Sequence, residues 1–190
     1  MAKTLSTMLP LGTQAPEFSL LGTDGRRWSL ESFPNSRAYL IMFICNHCPY
    51  VIHIRDAMVK LADDFQKQGI AVLAISSNDP ETYPDDSPAK MKEQVQKFHY
   101  TFPYLFDETQ EVAKSYKAAC TPDFFLFDDK RQLVYRGQMD GSRPGNSIAS
   151  DGIDLRNAVE NLFSKREISP DQKPSMGCNI KWKAGQEPQY

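Results

Sequence analysis

Two apolar runs mark the middle of the chain, Tyr39–Ile44 and Ile70–Ile75. Each is too short for a globular helix and rich in strand formers, the signature of a strand buried on both faces. Between them Val51, Ile54, Met58, Leu61 and Phe65 recur at helical spacing, and Gly69 supplies a stop. Strand, helix, strand in that order predicts two parallel strands joined by a right-handed crossover. Upstream, Ala15–Leu20 alternates apolar and polar residues, Thr23-Asp24-Gly25 turns, and Arg26–Leu30 returns, predicting a β-hairpin closed by a helical turn over Ser29–Phe33.

Downstream, Ser87-Pro88 opens a helix through Phe98 with Met91, Val95 and Phe98 on one face. Tyr104–Phe106 reads as a short strand and Glu108–Tyr116 as a short helix. Phe124–Phe127 and Leu133–Gly137 form an antiparallel pair across Asp128-Asp129-Lys130, and Leu155, Val159, Leu162 and Phe163 mark a last helix from Asp154. Residues 1–14 read as a mobile lead-in, 15–166 as one domain, and 167–190 as a polar tail packed on or extending from it. The polar loop over 76–88 leaves the carboxyl end of the second apolar strand, where functional loops of open α/β sheets gather.

A chain of 190 residues with ordinary apolar content supports one α/β domain with decorations. The net charge of −2, with no basic stripe, argues against a nucleic-acid partner. The N-terminal stretch lacks the apolar core of a signal peptide, and no run is long enough to cross a bilayer. The expectation is therefore a cytoplasmic protein without a membrane partner. Four cysteines are too few for a secreted disulfide scaffold; in a reducing compartment a close pair points to catalysis.

The close pair is Cys45-Asn46-His47-Cys48, followed by Pro49. A first-turn proline starts a helix without losing a bond. Cys-x-x-Cys at a strand-to-helix turn is a thiol redox motif. The thiolate is the nucleophile, and amide donors at a helix N-terminus stabilise it. Cys45, at the mouth of the turn, is expected to attack, and Cys48, inside the first turn, to resolve. His47, when protonated, favours the thiolate and makes the disulfide more oxidising. The pair also fits half of a zinc site, but Cys120 and Cys178 are single cysteines without a partner at ligand spacing. Two inert structural cysteines are the other competing reading. No metal and no cofactor are expected.

With Cys45-Asn-His-Cys48 on strand and helix and Thr121-Pro122 before a hairpin, the chain resembles the thioredoxin superfamily. It is most similar to the peroxiredoxin-like branch grouped with alkyl hydroperoxide reductases and thiol-specific antioxidants. The stretches Cys45–Val51, Thr121–Asp128, Arg136-Gly137 with Ser142–Asn146, and Gly177–Lys183 carry the likeness. The resemblance implies a mixed sheet flanked by helices and a cis peptide before Pro122. It implies a Thr121 backbone free to pair with an incoming peptide, and it puts Cys120 beside that proline as a candidate third redox thiol. The Asn-His dipeptide resembles that of disulfide isomerases more than the Gly-Pro of reducing thioredoxins.

Two departures stand out. Reducing thioredoxins keep a buried aspartate six residues before the first cysteine; here that position is Tyr39. Peroxidatic sites carry Pro-x-x-x-Thr/Ser-x-x-Cys, but those positions hold Ile41 and Cys45 when Cys48 is aligned, or Ala38 and Met42 when Cys45 is. The arginine of such sites falls near Pro122; Arg136 and Arg143 read as loop or surface charges, and His53 and His99 as ordinary. The first reading is a thiol-disulfide oxidoreductase acting on protein or small-molecule disulfides and thiols, with an electron donor the sequence does not identify. The alternatives are a thiol peroxidase and a copper-binding chaperone, whose cysteines are usually spaced one residue wider.

Overall fold

The computed structural model describes residues 3–190. Its strands are β1 (Lys3–Leu5), β2 (Leu20–Gly22), β3 (Arg27–Trp28), β4 (Ala38–Phe43), β5 (Ile70–Ser76), β6 (Tyr104–Phe106), β7 (Cys120–Thr121), β8 (Asp123–Phe127), β9 (Leu133–Gly137) and β10 (Met176–Asn179). Its helices are α1 (Pro49–Lys67), α2 (Pro88–Phe98), α3 (Glu111–Ser115) and α4 (Ile153–Phe163). Seven strands make one mixed sheet in the order β3-β2-β6-β5-β4-β8-β9, and β1, β10 and β7 make a second, smaller one.

The first apolar run becomes β4, central because both of its faces are apolar. All its residues are buried, and the pleat divides them between two cores. Leu40 and Met42 meet α1, Met91 of α2 and α4; Tyr39, Ile41 and Phe43 meet Phe18, Leu30, Tyr116 and Phe125 on the other face. β4 runs parallel to β5, with Ala38 opposite Ile70, and antiparallel to β8. The connection is α1, whose stripe Val51, Ile54, Met58, Leu61 and Phe65 is buried as its spacing requires. Truncating Phe65 to alanine in such a core costs about 3–5 kcal/mol. Gly69 ends the helix with φ +85°, the left-handed conformation that follows a helix C-cap.

Some elements are shorter than their patterns predict. The N-terminal hairpin contracts to β2 and β3, Leu20 opposite Trp28, while Ala15 and Phe18 bury outside any strand. The helix expected from Glu108 begins at Glu111, because Gln110 takes φ +64° and the Asp107 carboxylate accepts the Ala113 N–H at 2.9 Å.

The ends differ more. Within the lead-in, Lys3–Leu5 forms a strand against β10, with Lys3 opposite Cys178; residues 1 and 2 lie outside the described part. The tail returns to the domain as β10, where Cys178 pairs with Thr121 and Asn179 with Cys120. Ile180 N–H donates to the Ala119 carbonyl at 3.1 Å and Lys181 N–H to Asn78 Oδ1 at 2.8 Å, and Trp182 packs on the second core. Backbone pairing holds these ends, and backbone groups are the same for every sequence, so side-chain polarity gives no sign of it.

Candidate active site

Pro49 is the first helical residue of α1, which makes Cys48 the N-cap, with φ −66° and ψ 123°. The Cys48 carbonyl takes the first helical bond from Ile52 N–H at 2.9 Å. Cys48 is thus the cap residue, and its side chain makes no capping hydrogen bond. Cys45 sits just past β4 and is 2 % exposed, not open at the mouth of the turn; Cys48 is fully buried. All four cysteines are free thiols.

The peptide Thr121–Pro122 is cis, as the resemblance implied, and faces the pair. Thr121 Oγ1 lies 3.3 Å from Cys45 Sγ, and the Thr121 carbonyl accepts from the Cys48 thiol at 3.1 Å. The Thr121 backbone is not free for an incoming peptide, because β10 already pairs with it.

The Cys48 thiol is pushed down to about 5. The adjacent Cys45 thiol pulls hardest, against the cost of burial, and Cys178 and the Val51 backbone add to it. Cys45 is pushed well up by the adjacent Cys48 thiol, by burial and by the Asp86 charge. Within the pair it is Cys48 that is pulled down.

The 76–88 loop borders this site, as its place at the end of β5 suggested. Asp86 is fully buried and accepts from Asn46 N–H and from Asn78 Nδ2, both at 2.7 Å. His47 Nδ1 lies 2.7 Å from Asp86 Oδ2, and the imidazole stacks on Tyr83 with ring centroids 5.5 Å apart. Tyr104 O–H donates to Asn46 Oδ1 at 3.1 Å. Cys45, His47 and Asp86 bring three ligand-type atoms within 4.8 Å of one another. Both Asp86 oxygens accept from amide donors of the protein, while neither ring nitrogen of His47 has a hydrogen-bond partner among the described residues.

The candidates Cys45, Cys48, His47, Thr121 and Pro122 therefore come together. Cys120 does not join them: successive side chains of β7 point to opposite sides, and its sulfur lies 3.6 Å from the Pro122 carbonyl, beside Ser6 and Asp123. Cys178, left unassigned by sequence, is buried in the same core cluster as Cys45 and Cys48. Tyr39 lies in the opposite core, its O–H donating to the Phe33 carbonyl at 3.0 Å, so its position offers the thiols nothing. Buried carboxyls come instead from Asp86 and from Asp123, which accepts from the Ser6 hydroxyl at 2.9 Å. Arg136 and Arg143 hold loops through the Leu9 and Asp140 carbonyls.

A model of the AhpC/TSA family matches residues 11–136, which contain the cysteine pair and the cis-proline. The chain belongs to the AhpC/TSA family. This family member is 27% identical over 131 residues to the thiol-disulfide oxidoreductase ResA of Geobacillus thermodenitrificans (strain NG80-2), covering 66% of this chain and 67% of that one. It superposes on the crystal structure of an uncharacterized conserved protein from Geobacillus kaustophilus with a TM-score of 0.94 and 51% identity, over 97% of this chain and 98% of that one. The thioredoxin domain of a thiol-disulfide oxidoreductase from Bacteroides vulgatus matches with a TM-score of 0.60 at 20% identity, over 81% and 98% of the two chains. The fold is thioredoxin-like, a mixed sheet flanked by helices. The matched family span ends before β10, so it includes neither Cys178 nor the strand that carries it.

Proposed function

We propose that this AhpC/TSA-family protein is a thiol-disulfide oxidoreductase that cycles Cys45 and Cys48 between dithiol and disulfide. The observation that carries the reading is a pair of free thiols on one turn that both meet Thr121, the Cys45 sulfur at its hydroxyl and the Cys48 thiol at its carbonyl. At rest the charge sits on Cys48, the thiol that is pulled down. Thr121 favours the other arrangement, since its hydroxyl can donate to a Cys45 thiolate and its carbonyl accepts a Cys48 S–H. Moving the proton from Cys45 to Cys48 arms Cys45, the less covered of the two.

The Cys45 thiolate then attacks one sulfur of a substrate disulfide, and the other leaves as a thiolate that takes up a proton. Cys48 loses its proton and attacks Cys45, which closes the Cys45–Cys48 disulfide and releases the second substrate thiol. A dithiol donor reverses the cycle. Supporting this reading are the likeness to ResA and the packing of His47 beside the pair. Insulin reduction with dithiothreitol tests it: the parent is expected to turn over, and a Cys45→Ser variant as active as the parent would end the idea.

The ionised Cys48 favours a second reading, a thiol peroxidase. Cys48 would attack a peroxide oxygen and become a sulfenic acid as the other oxygen leaves in water or an alcohol; Cys45 would condense with it, releasing water. Peroxide consumption coupled to dithiothreitol separates the two, since the first reading expects only the uncatalysed rate.

A further inference from the structure

β10 occupies the edge where a thioredoxin-like site receives an extended substrate, and it brings a cysteine there. Cys178 is the register partner of Thr121, whose carbonyl also takes the Cys48 thiol. Gly177 makes the approach feasible: a Cβ at that position would overlap the Thr121 carbonyl. The strand is fixed on both sides, by Ser6 N–H to the Ser175 carbonyl at 3.0 Å and by the Lys181 bond to Asn78 at 2.8 Å. Cys178 is buried in the same core cluster as Cys45 and Cys48, and its register partner Thr121 is the residue both of those sulfurs meet. The placement is that of a cysteine in a docked peptide, supplied by the chain itself.

We propose that Cys178 is the third redox thiol of this site, a disulfide partner that exchanges with Cys45 for Cys48. The proposal rests on the oxidoreductase reading and extends it. Once a substrate disulfide has oxidised the motif, the Cys178 thiolate attacks the Cys48 sulfur of the Cys45–Cys48 bond. A Cys48–Cys178 bond forms, the Cys45–Cys48 bond breaks, and Cys45 leaves with the electron pair and takes the proton that Cys178 gave up. No electrons leave the protein in this step. In the reduced state burial, and then the neighbouring Cys48 thiol, hold the Cys178 proton and push its thiol up to about 12. Oxidation of Cys48 removes the second of these causes and the charge behind it.

The test uses the full chain with one equivalent of 2-hydroxyethyl disulfide, an acid quench, N-ethylmaleimide trapping and mass-spectrometric mapping of linked peptides. In the wild type both Cys45–Cys48 and Cys48–Cys178 links are expected. Cys45→Ser should give the Cys48–Cys178 link alone, and Cys178→Ser with Cys45→Ser should stop at the mixed disulfide of Cys48 with mercaptoethanol. Cys120→Ser should leave the pattern unchanged. A wild type that forms only Cys45–Cys48, together with a Cys45→Ser variant that stops at the mixed disulfide, overturns the role of Cys178 and leaves the oxidoreductase reading standing. A wild type that forms neither link overturns both. If Cys45→Ser does not fold, the wild-type map alone decides, with absence of Cys48–Cys178 as the refuting result.

Discussion

The two sides of the Thr121–Pro122 turn bury similar groups and treat them oppositely. On one side lie Cys45 and Cys48, where thiol and amide donors converge and bring Cys48 down to about 5. On the other lie Cys120 and Asp123, where burial dominates. It pushes the Cys120 thiol up and the Asp123 carboxyl up to about 8, against the Ser6 hydroxyl and two backbone N–H groups. Asp123 Oδ2 has no hydrogen-bond partner. Cys45 is pushed up as Cys120 is, and what sets Cys48 apart is the thiol beside it.

The largest effect that tests this contrast is on activity. Cys48→Ser should reduce insulin turnover to that of dithiothreitol alone, whereas Cys120→Ser should retain the parent rate in the same assay. Equal losses would erase the distinction between the two sides.

The next effect is on stability against pH, where the two sides have opposite signs. Cys48 titrates lower in the folded chain, so between about pH 5 and the ordinary thiol range the unfolded chain holds a proton that the native one lacks. Its contribution to stability therefore grows with pH and is lost as pH falls through 5. Asp123 titrates higher when folded, so from the ordinary carboxylate range to about pH 8 the native chain holds the extra proton. Its contribution is full at low pH and is lost as pH rises through 8. Each proton changes the slope by about 1.4 kcal/mol per pH unit, and between pH 5 and 8 the two oppose each other. Urea unfolding at pH 5, 6.5 and 8 should show a slope more positive than wild type for Asp123→Asn and more negative for Cys48→Ser. Variant slopes parallel to the wild type would sink the contrast.

A smaller change should come from Gly177→Ala, which forces a Cβ against the Thr121 carbonyl. The overpacking is expected to cost about 1–3 kcal/mol and to unseat β10, seen as faster alkylation of Cys48 at neutral pH. The smallest is Ser6→Ala. It removes a donor to Asp123 and the acceptor of Ser175 N–H. A loss of about 1 kcal/mol is expected, with the Asp123 titration, followed by NMR, moving further up.

Much of this could be read from sequence where side chains carry the information. The apolar run at Tyr39–Ile44 gave its strand because both faces are buried, and the stripe from Val51 to Phe65 gave its helix because one face is. The cysteine pair and Thr121-Pro122 were found because their chemistry is local. Pro49 at the first helical position makes residue 48 the cap. Asp86 and Asp123 look like ordinary loop and strand-end acids until the fold closes over them. Met176-Gly-Cys-Asn179 has no period to detect, and its place beside Cys48 depends on pairing with a dipeptide far up the chain.

That last pairing bears on synthesis as well. While the chain emerges from the ribosome, β4, α1 and β5 can close around the cysteine motif early. The edge of Thr121 then stays bare until Met176–Asn179 has cleared the exit tunnel and β1 can lie against it. The nascent protein therefore passes through a stage with its reactive sulfurs formed but uncovered, and it is then that cellular oxidants would find them most easily.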